Sequence, residues 1–289
     1  MWFETVRRWV KADTGLASRY REITTDAGTK LNRIRPSPVS IERKDFIMRA
    51  KAILLFVAAV AFALGPFMVP GFGGFDPELY PNPQVDPPVQ PAGYAFAIWG
   101  PIYIWLVAST AYGLFKRHDV ADWDPMRLPL LISLVIGTAW LPVAMISPIW
   151  ATILIFAMLI PAALAMHRAP KRDRWWAVAP VAFYTGWLTA ASFASLGLTG
   201  AGFGLVLGEV GWALVCIPLA LLTAFLIHAG RREEWVYFLS VIWALVAIAV
   251  KNWGDVWSVT AAASVGIAIL SWRLFTVMSR GRSGSPVTA

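Results

Sequence analysis

Polar and apolar positions along this chain separate into blocks. Eight apolar runs, 52–69, 93–115, 128–147, 149–167, 175–197, 204–228, 235–251 and 254–276, alternate with shorter segments that collect nearly all the charge. Residues 93–115, GYAFAIWGPIYIWLVASTAYGLF, show the type: 23 residues without Asp, Glu, Lys or Arg. At about 1.5 Å rise per residue that suffices to cross a bilayer core. The pattern predicts an all-α polytopic membrane helix bundle with eight transmembrane helices. Only Pro148 separates the third run from the fourth, which predicts a tight helical hairpin. Pro101, inside the second run, predicts a freed backbone carbonyl, and Trp99 and Trp105 near it offer flat faces with one N–H each.

Ahead of the first run, Trp2, Val6, Trp9, Leu16 and Tyr20 recur at helical spacing with Arg7, Arg8, Lys11 and Arg19 between them. This fits either a helix lying on an anionic lipid surface or a poorly ordered tail. Met48, followed by Arg49 and Lys51, offers an alternative start, and the flank resembles a signal peptide whose cleavage would cost the topology its first span.

Composition narrows the class. At 58% hydrophobic and 15% charged residues, the chain lacks the polar surface of a soluble domain. One cysteine, Cys216, excludes an internal disulfide framework. The net charge of +8 does not point to nucleic acid, because the bases fall in the connections. Assigned alternately to two sides, those connections place 24 of the 25 Lys and Arg residues on the side holding both termini, and Lys251 alone on the other. The bias predicts both termini in the cytoplasm, in a bacterial inner membrane.

On the low-charge side lies the longest connection, 70–92, PGFGGFDPELYPNPQVDPPVQPA, with Asp76, Glu78 and Asp86 and no base. It is either a lid over the helices, with 76–92 as its working part, or a turn-rich connector. Trp123, Trp150, Trp175, Trp176, Trp235, Trp253, Trp257 and Trp272 fall where an interfacial belt would put them. Four others fall deeper, at about 9 Å for Trp99, 10–12 Å for Trp140, 15 Å for Trp187 and 12 Å for Trp212, counted from the outer ends of their spans. Such a layer either stacks on a flat apolar ligand or fills gaps between helices.

Glu209, about 8 Å along its span, is placed to pair with Lys251, and Gly204 with Gly208 forms a small-xxx-small helix contact. His118, His167 and His228 fall at the basic ends, so no axial pair for a buried haem is formed. No phosphate-binding Gly-Lys-Ser loop, HExxH motif or intramembrane carboxylate pair occurs. The expectation is therefore a non-enzyme with no required cofactor and no metal site.

The stretch PPVQPAGYAFAIWGPIYIWL, with Trp99-Gly100-Pro101-Ile102-Tyr103, resembles the F-G-P-V-W-T-x-L-Y hallmark that follows paired prolines in the TspO family of tryptophan-rich sensory proteins, the translocator proteins of animals. Gly137, Trp140 and Pro142 resemble that family's N-x-x-W-S-P without its asparagine, and Pro180 to Trp187, with Tyr184, resembles its P-Y-x-x-W run. The resemblance covers 50–198 and implies a TspO-like five-helix domain at 51–198, a basic cytoplasmic extension at 1–50, an additional three-helix segment at 199–278 and a cytoplasmic tail at 279–289. It also implies a tetrapyrrole such as a porphyrin or haem, bound between the helices under the first loop, in a sensor or transporter that is often dimeric. Trp99, Tyr103, Trp140, Tyr184 and Trp187 are the expected lining, and Ala190 and Ala191 fall where small residues line the family pocket. The alternative is a structural or assembly subunit of a larger membrane complex. A transporter built on inverted repeats is disfavoured, because the two sets of four spans show no convincing similarity.

Overall fold

A computed structural model describes residues 38–69 and 74–282, with side chains from Glu42 to Ser279. The chain divides into two compact units, Met1–Ile47 and Met48–Ala289. The amphipathic pattern of the N-terminal tail lies outside the described residues.

Eight α-helices follow one another, and no strand occurs among the described residues: α1 Pro38–Met68, α2 Trp99–Arg117, α3 Asp124–Ala144, α4 Pro148–Arg168, α5 Arg174–Gly202, α6 Glu209–Ala229, α7 Val236–Lys251 and α8 Trp257–Arg282. Each apolar run has become one helix. Seven of these segments are long and apolar enough to cross a membrane; α7, with 16 residues, is the shorter one, and ten of its residues are buried. The hairpin at Pro148 is present, with Ser147 capping α4 by accepting the Trp150 N–H at 3.4 Å.

The centre of the bundle is α5, which packs against α2, α4, α6 and α7, while α3 pairs with α4 and α8 with α6 and α7. A close approach of α5 to α7 requires Gly186, since a Cβ there would overlap the Tyr237 carbonyl oxygen and Ser240 Oγ.

Contacts at the helix ends fix the alternation of direction. At one end Arg117 reaches Asp173, Arg174 reaches Glu234, and Lys51 reaches Asp124. At the other, the Asn82 N–H donates to the Gly202 carbonyl at 2.9 Å, and Lys251 and Asn252 hold residues 86–88. Every described Lys and Arg from Lys51 to Arg273 other than Lys251 falls at the first end.

Four details differ from the expectations. Gly93–Ile98 is a 3₁₀ segment and α2 begins at Trp99, so Pro101 stands in the first α-helical turn, just past the change from 3₁₀ to α, and not in the middle of an α-helix. Residues 204–208 are a turn with Gly204 at φ +66°, which ends α5 and removes the proposed small-residue helix contact. Trp123 is not a belt residue: it is 1% exposed, lies over Gly113 and donates to Asp173 Oδ2 at 3.2 Å. Lys251 pairs with Asp86 at 2.8 Å instead of Glu209, because the connection 74–92 folds back over the end of α7.

Candidate functional site

Under that connection, aromatic rings from four helices meet at one level. Trp99 and Tyr103, one turn apart on α2, stack at 5.4 Å and 15°. Trp140 of α3 lies 6.5 Å from Trp99, and Trp187 of α5 meets it edge-on at 6.0 Å. Phe62 of α1, which no motif singles out, touches Trp99 at 5.9 Å, Tyr103 at 5.0 Å and Tyr184 at 5.9 Å. Its ring occupies the place of the missing asparagine, since a Cβ on Gly137 would stand 2.6 Å from it. Trp212 is not part of this cluster: it covers Gly200 and donates to the Leu205 carbonyl at 2.8 Å, closing the turn after α5.

Two spaces adjoin the rings. A small cavity of about 40 Å³ is lined by Phe96, Trp99, Trp140, Trp187, Ala191 and Ser195, with Phe75 and Gln90 of the connection above. A groove of about 310 Å³ opens beside Pro66, Phe67, Trp99, Tyr103, Trp140 and Leu141. Trp99, Trp140 and Phe96 form the partition between them. Of the residues expected to line a pocket, Trp99 and Trp140 border both spaces, Tyr103 the groove, and Trp187 and Ala191 the cavity. Ala190 faces a separate void of about 20 Å³ between α5, α6 and α7. Tyr184 is fully buried behind Phe62, its hydroxyl 2.9 Å from Ser133 Oγ. Because Ser133 donates to the Met158 carbonyl at 2.9 Å, the tyrosine is the donor in that pair.

Polar groups near the cavity are few. Trp140 Nε1–H donates to the Ala151 carbonyl at 2.9 Å, whereas the buried Trp187 Nε1–H has no hydrogen-bond partner among the described residues. An unpaired buried donor costs about 1–3 kcal/mol, so an acceptor brought to it would be bound favourably. Thr152 Oγ1 lies 2.6 Å from Ser195 Oγ and 2.8 Å from Thr199 Oγ1, a hydroxyl cluster beside the cavity at the ends of α4 and α5 nearest the connection.

The covering connection is tethered by α7 and its C-cap residue Asn252. The Lys251 ammonium donates to the Pro87 carbonyl at 3.0 Å, Asn252 Nδ2 to the Pro88 carbonyl at 2.9 Å, and the Ala92 N–H to the Ala247 carbonyl at 3.3 Å. Trp243 of α7 donates to the Ala95 carbonyl at 3.0 Å. Among the described residues no cluster of three or more His, Cys, Asp or Glu side chains could hold a metal ion.

Neither the curated proteins nor the solved structures searched returned a match to this chain. A family model described as TSPO-like protein matches residues 81–276. The match starts within the covering connection and continues through α6, α7 and α8, beyond position 198 where the motif resemblance stopped, so these helices are part of the family pattern. By that match, over more than half of its length, the chain belongs to the TSPO-like protein family.

Proposed function

We propose that this membrane protein is a sensor or transporter for a flat hydrophobic ligand, a tetrapyrrole, and not an enzyme. The observation that carries the reading is the convergence of Phe62, Trp99, Tyr103, Trp140 and Trp187 beneath a tethered connection. Ligand pockets of this kind hold about 300–1,000 Å³. The groove of about 310 Å³ reaches that range and the cavity of about 40 Å³ does not. The macrocycle therefore docks first in the groove, arriving sideways from the bilayer. It reaches Trp187 only when Phe96 and Trp99 swing or the connection lifts. The tetrapyrrole is cargo or signal, and no step of chemistry is assigned to the chain.

Titration of the purified protein with protoporphyrin tests this. Tryptophan fluorescence should be quenched at micromolar ligand, and Trp140→Leu should weaken the effect about tenfold by removing the stacking face shared by groove and cavity. Unchanged quenching in the variant would count against the site. Stable co-migration with a large assembly in mild detergent, together with absent quenching, would favour the assembly-subunit alternative.

A further inference from the structure

At the end of the bundle away from the aromatic cluster, the start of α5, the turn between α6 and α7 and the last turns of α8 enclose a cleft of about 680 Å³. Its walls carry Arg174, Arg232 and Arg273 against one carboxylate, Glu233, with Val277 and Met278 as an apolar side. The three cations are not equivalent. Arg174 is committed: Nε and Nη2 donate to the Glu234 carboxylate at 3.1 and 2.8 Å, and the guanidinium lies over Trp175 and Trp235 at 4.7 and 5.2 Å. Glu233 pairs outward with Lys171 at 3.6 Å, both side chains well exposed. The guanidinium groups of Arg232 and Arg273 have no ion-pair or hydrogen-bond partner among the described residues.

Two uncommitted guanidinium groups facing one cleft repel each other, and the planar donor fork of each matches phosphate oxygens. Trp272 and Phe275, 70% and 64% exposed, flank Arg273 on the outside of α8, as residues do at the headgroup level of a bilayer. A polar floor beside an apolar wall at that level suits a phosphate ester with an acyl tail better than a bare ion. We infer that this cleft binds a phosphate-bearing anion, the headgroup of an anionic phospholipid, through Arg232 and Arg273. The site is separate from the aromatic cluster and stands whatever that cluster binds.

The test uses the full chain in neutral detergent, offered equal amounts of phosphatidylglycerol and phosphatidylcholine with the same acyl chains, with bound lipid read by native mass spectrometry. Wild-type protein should prefer phosphatidylglycerol by about tenfold, and the Arg232→Gln/Arg273→Gln double variant should lose that preference. Lys116→Gln, which removes an exposed base at the same end of the bundle but outside the cleft, should keep it. Displacement of the lipid by millimolar inorganic phosphate would identify a soluble phosphate ester as the occupant of the same two arginines. Equal retention of both lipids without any response to phosphate overturns the inference. So does a preference that survives the double substitution or disappears equally with Lys116→Gln. Circular dichroism checks the fold, and Arg232→Gln alone, at an exposed position, carries the measurement if the double variant unfolds.

Discussion

Phe62 stands in the space that Gly137 leaves open, and that one exchange sets the shape of the aromatic cluster. Gly137→Asn would put its Cβ 2.6 Å from the Phe62 ring and 3.0 Å from Met158 Cε, forcing Phe62 away from Trp99, Tyr103 and Tyr184. The expected cost is about 1–3 kcal/mol, measured by thermal unfolding in detergent, with protoporphyrin quenching altered as well. A change in neither would show that the rings are not held by this contact. At the opposite end, Asp173 adopts φ 56° and gathers four donors: Arg117 Nε at 2.7 Å and Nη2 at 3.0 Å, Trp123 Nε1 at 3.2 Å and the Tyr112 hydroxyl at 3.4 Å. The hydrogen bonds from Arg117 lead in holding the carboxyl below its ordinary value of 3.8, against the opposing effect of burial. A carboxylate more acidic in the folded state than in the unfolded one stabilises the fold fully above its unfolded value, and that contribution is lost as pH falls through the folded value. Stability should therefore drop below about pH 4, and Asp173→Asn should be less stable at neutral pH while flattening the acid limb. An unaltered acid limb would mean that other carboxylates govern it.

Among the elements, α5 carries the arrangement, and glycines allow its neighbours to approach. Gly186→Ala would set a methyl group against the Tyr237 backbone, which cannot move aside as a side-chain tip can. A loss of about 3 kcal/mol is expected, read as a lower unfolding midpoint, and a near-neutral result would mean that α5 and α7 are free to separate. Further along α5, Gly197 and Gly202 receive Val89 and Tyr80 of the covering connection, which α7 then tethers through Lys251 and Asn252. Lys251→Ala/Asn252→Ala should accelerate amide exchange across 84–92 and leave α3 and α4 unchanged. Equal exchange in the variant would show that α5 alone seats the connection. The helices and their alternation were legible in the sequence because apolar length marks each segment and Lys and Arg collect at one set of helix ends. The rings on Trp99, Trp140 and Trp187 were legible as a shared depth, which a count along each span supplies. Phe62 was not, since a phenylalanine in an apolar run has no signature of the face it presents. Nor was the partner of Lys251: Asp86 precedes it by an entire bundle, while Glu209 merely shared its side of the membrane. The turn at 204–208 was hidden by its own apolar residues, Leu205, Val206 and Leu207, although Gly204 and Gly208 bracket it.

For the whole molecule, the uneven distribution of cations performs two kinds of work at one end. Arg127, 1% exposed, donates to the carbonyls of Met48, Arg117 and His118, and Arg231, 7% exposed, to those of Met166, His167 and Ala169. Each donates to carbonyls at the C-terminal end of a helix, α2 or α4, where the helical ladder runs out of N–H donors. These two arginines are structural and report on orientation only through where the helices end. Setting them aside still leaves Lys116, Arg117, Arg168, Lys171, Arg172, Arg174 and Arg232 at that end against Lys251 at the other, and Lys251 is itself paired with Asp86. By the positive-inside rule the remaining bias predicts the basic end in the cytoplasm and the connection 74–92 outside. Paired cysteine reporters test this directly. Cys216 is buried, 1% exposed, so the native thiol adds little background. Trp253→Cys, at a position 70% exposed beyond the end of α7, should react with a membrane-impermeant maleimide on intact cells. Lys171→Cys, at a side chain 85% exposed in the α4–α5 turn, should react only after the membrane is opened. The reverse pattern would turn the bundle over and put the aromatic groove in the inner leaflet. Labelling of both positions from outside would mean that the chain does not alternate across the membrane as its helix ends require.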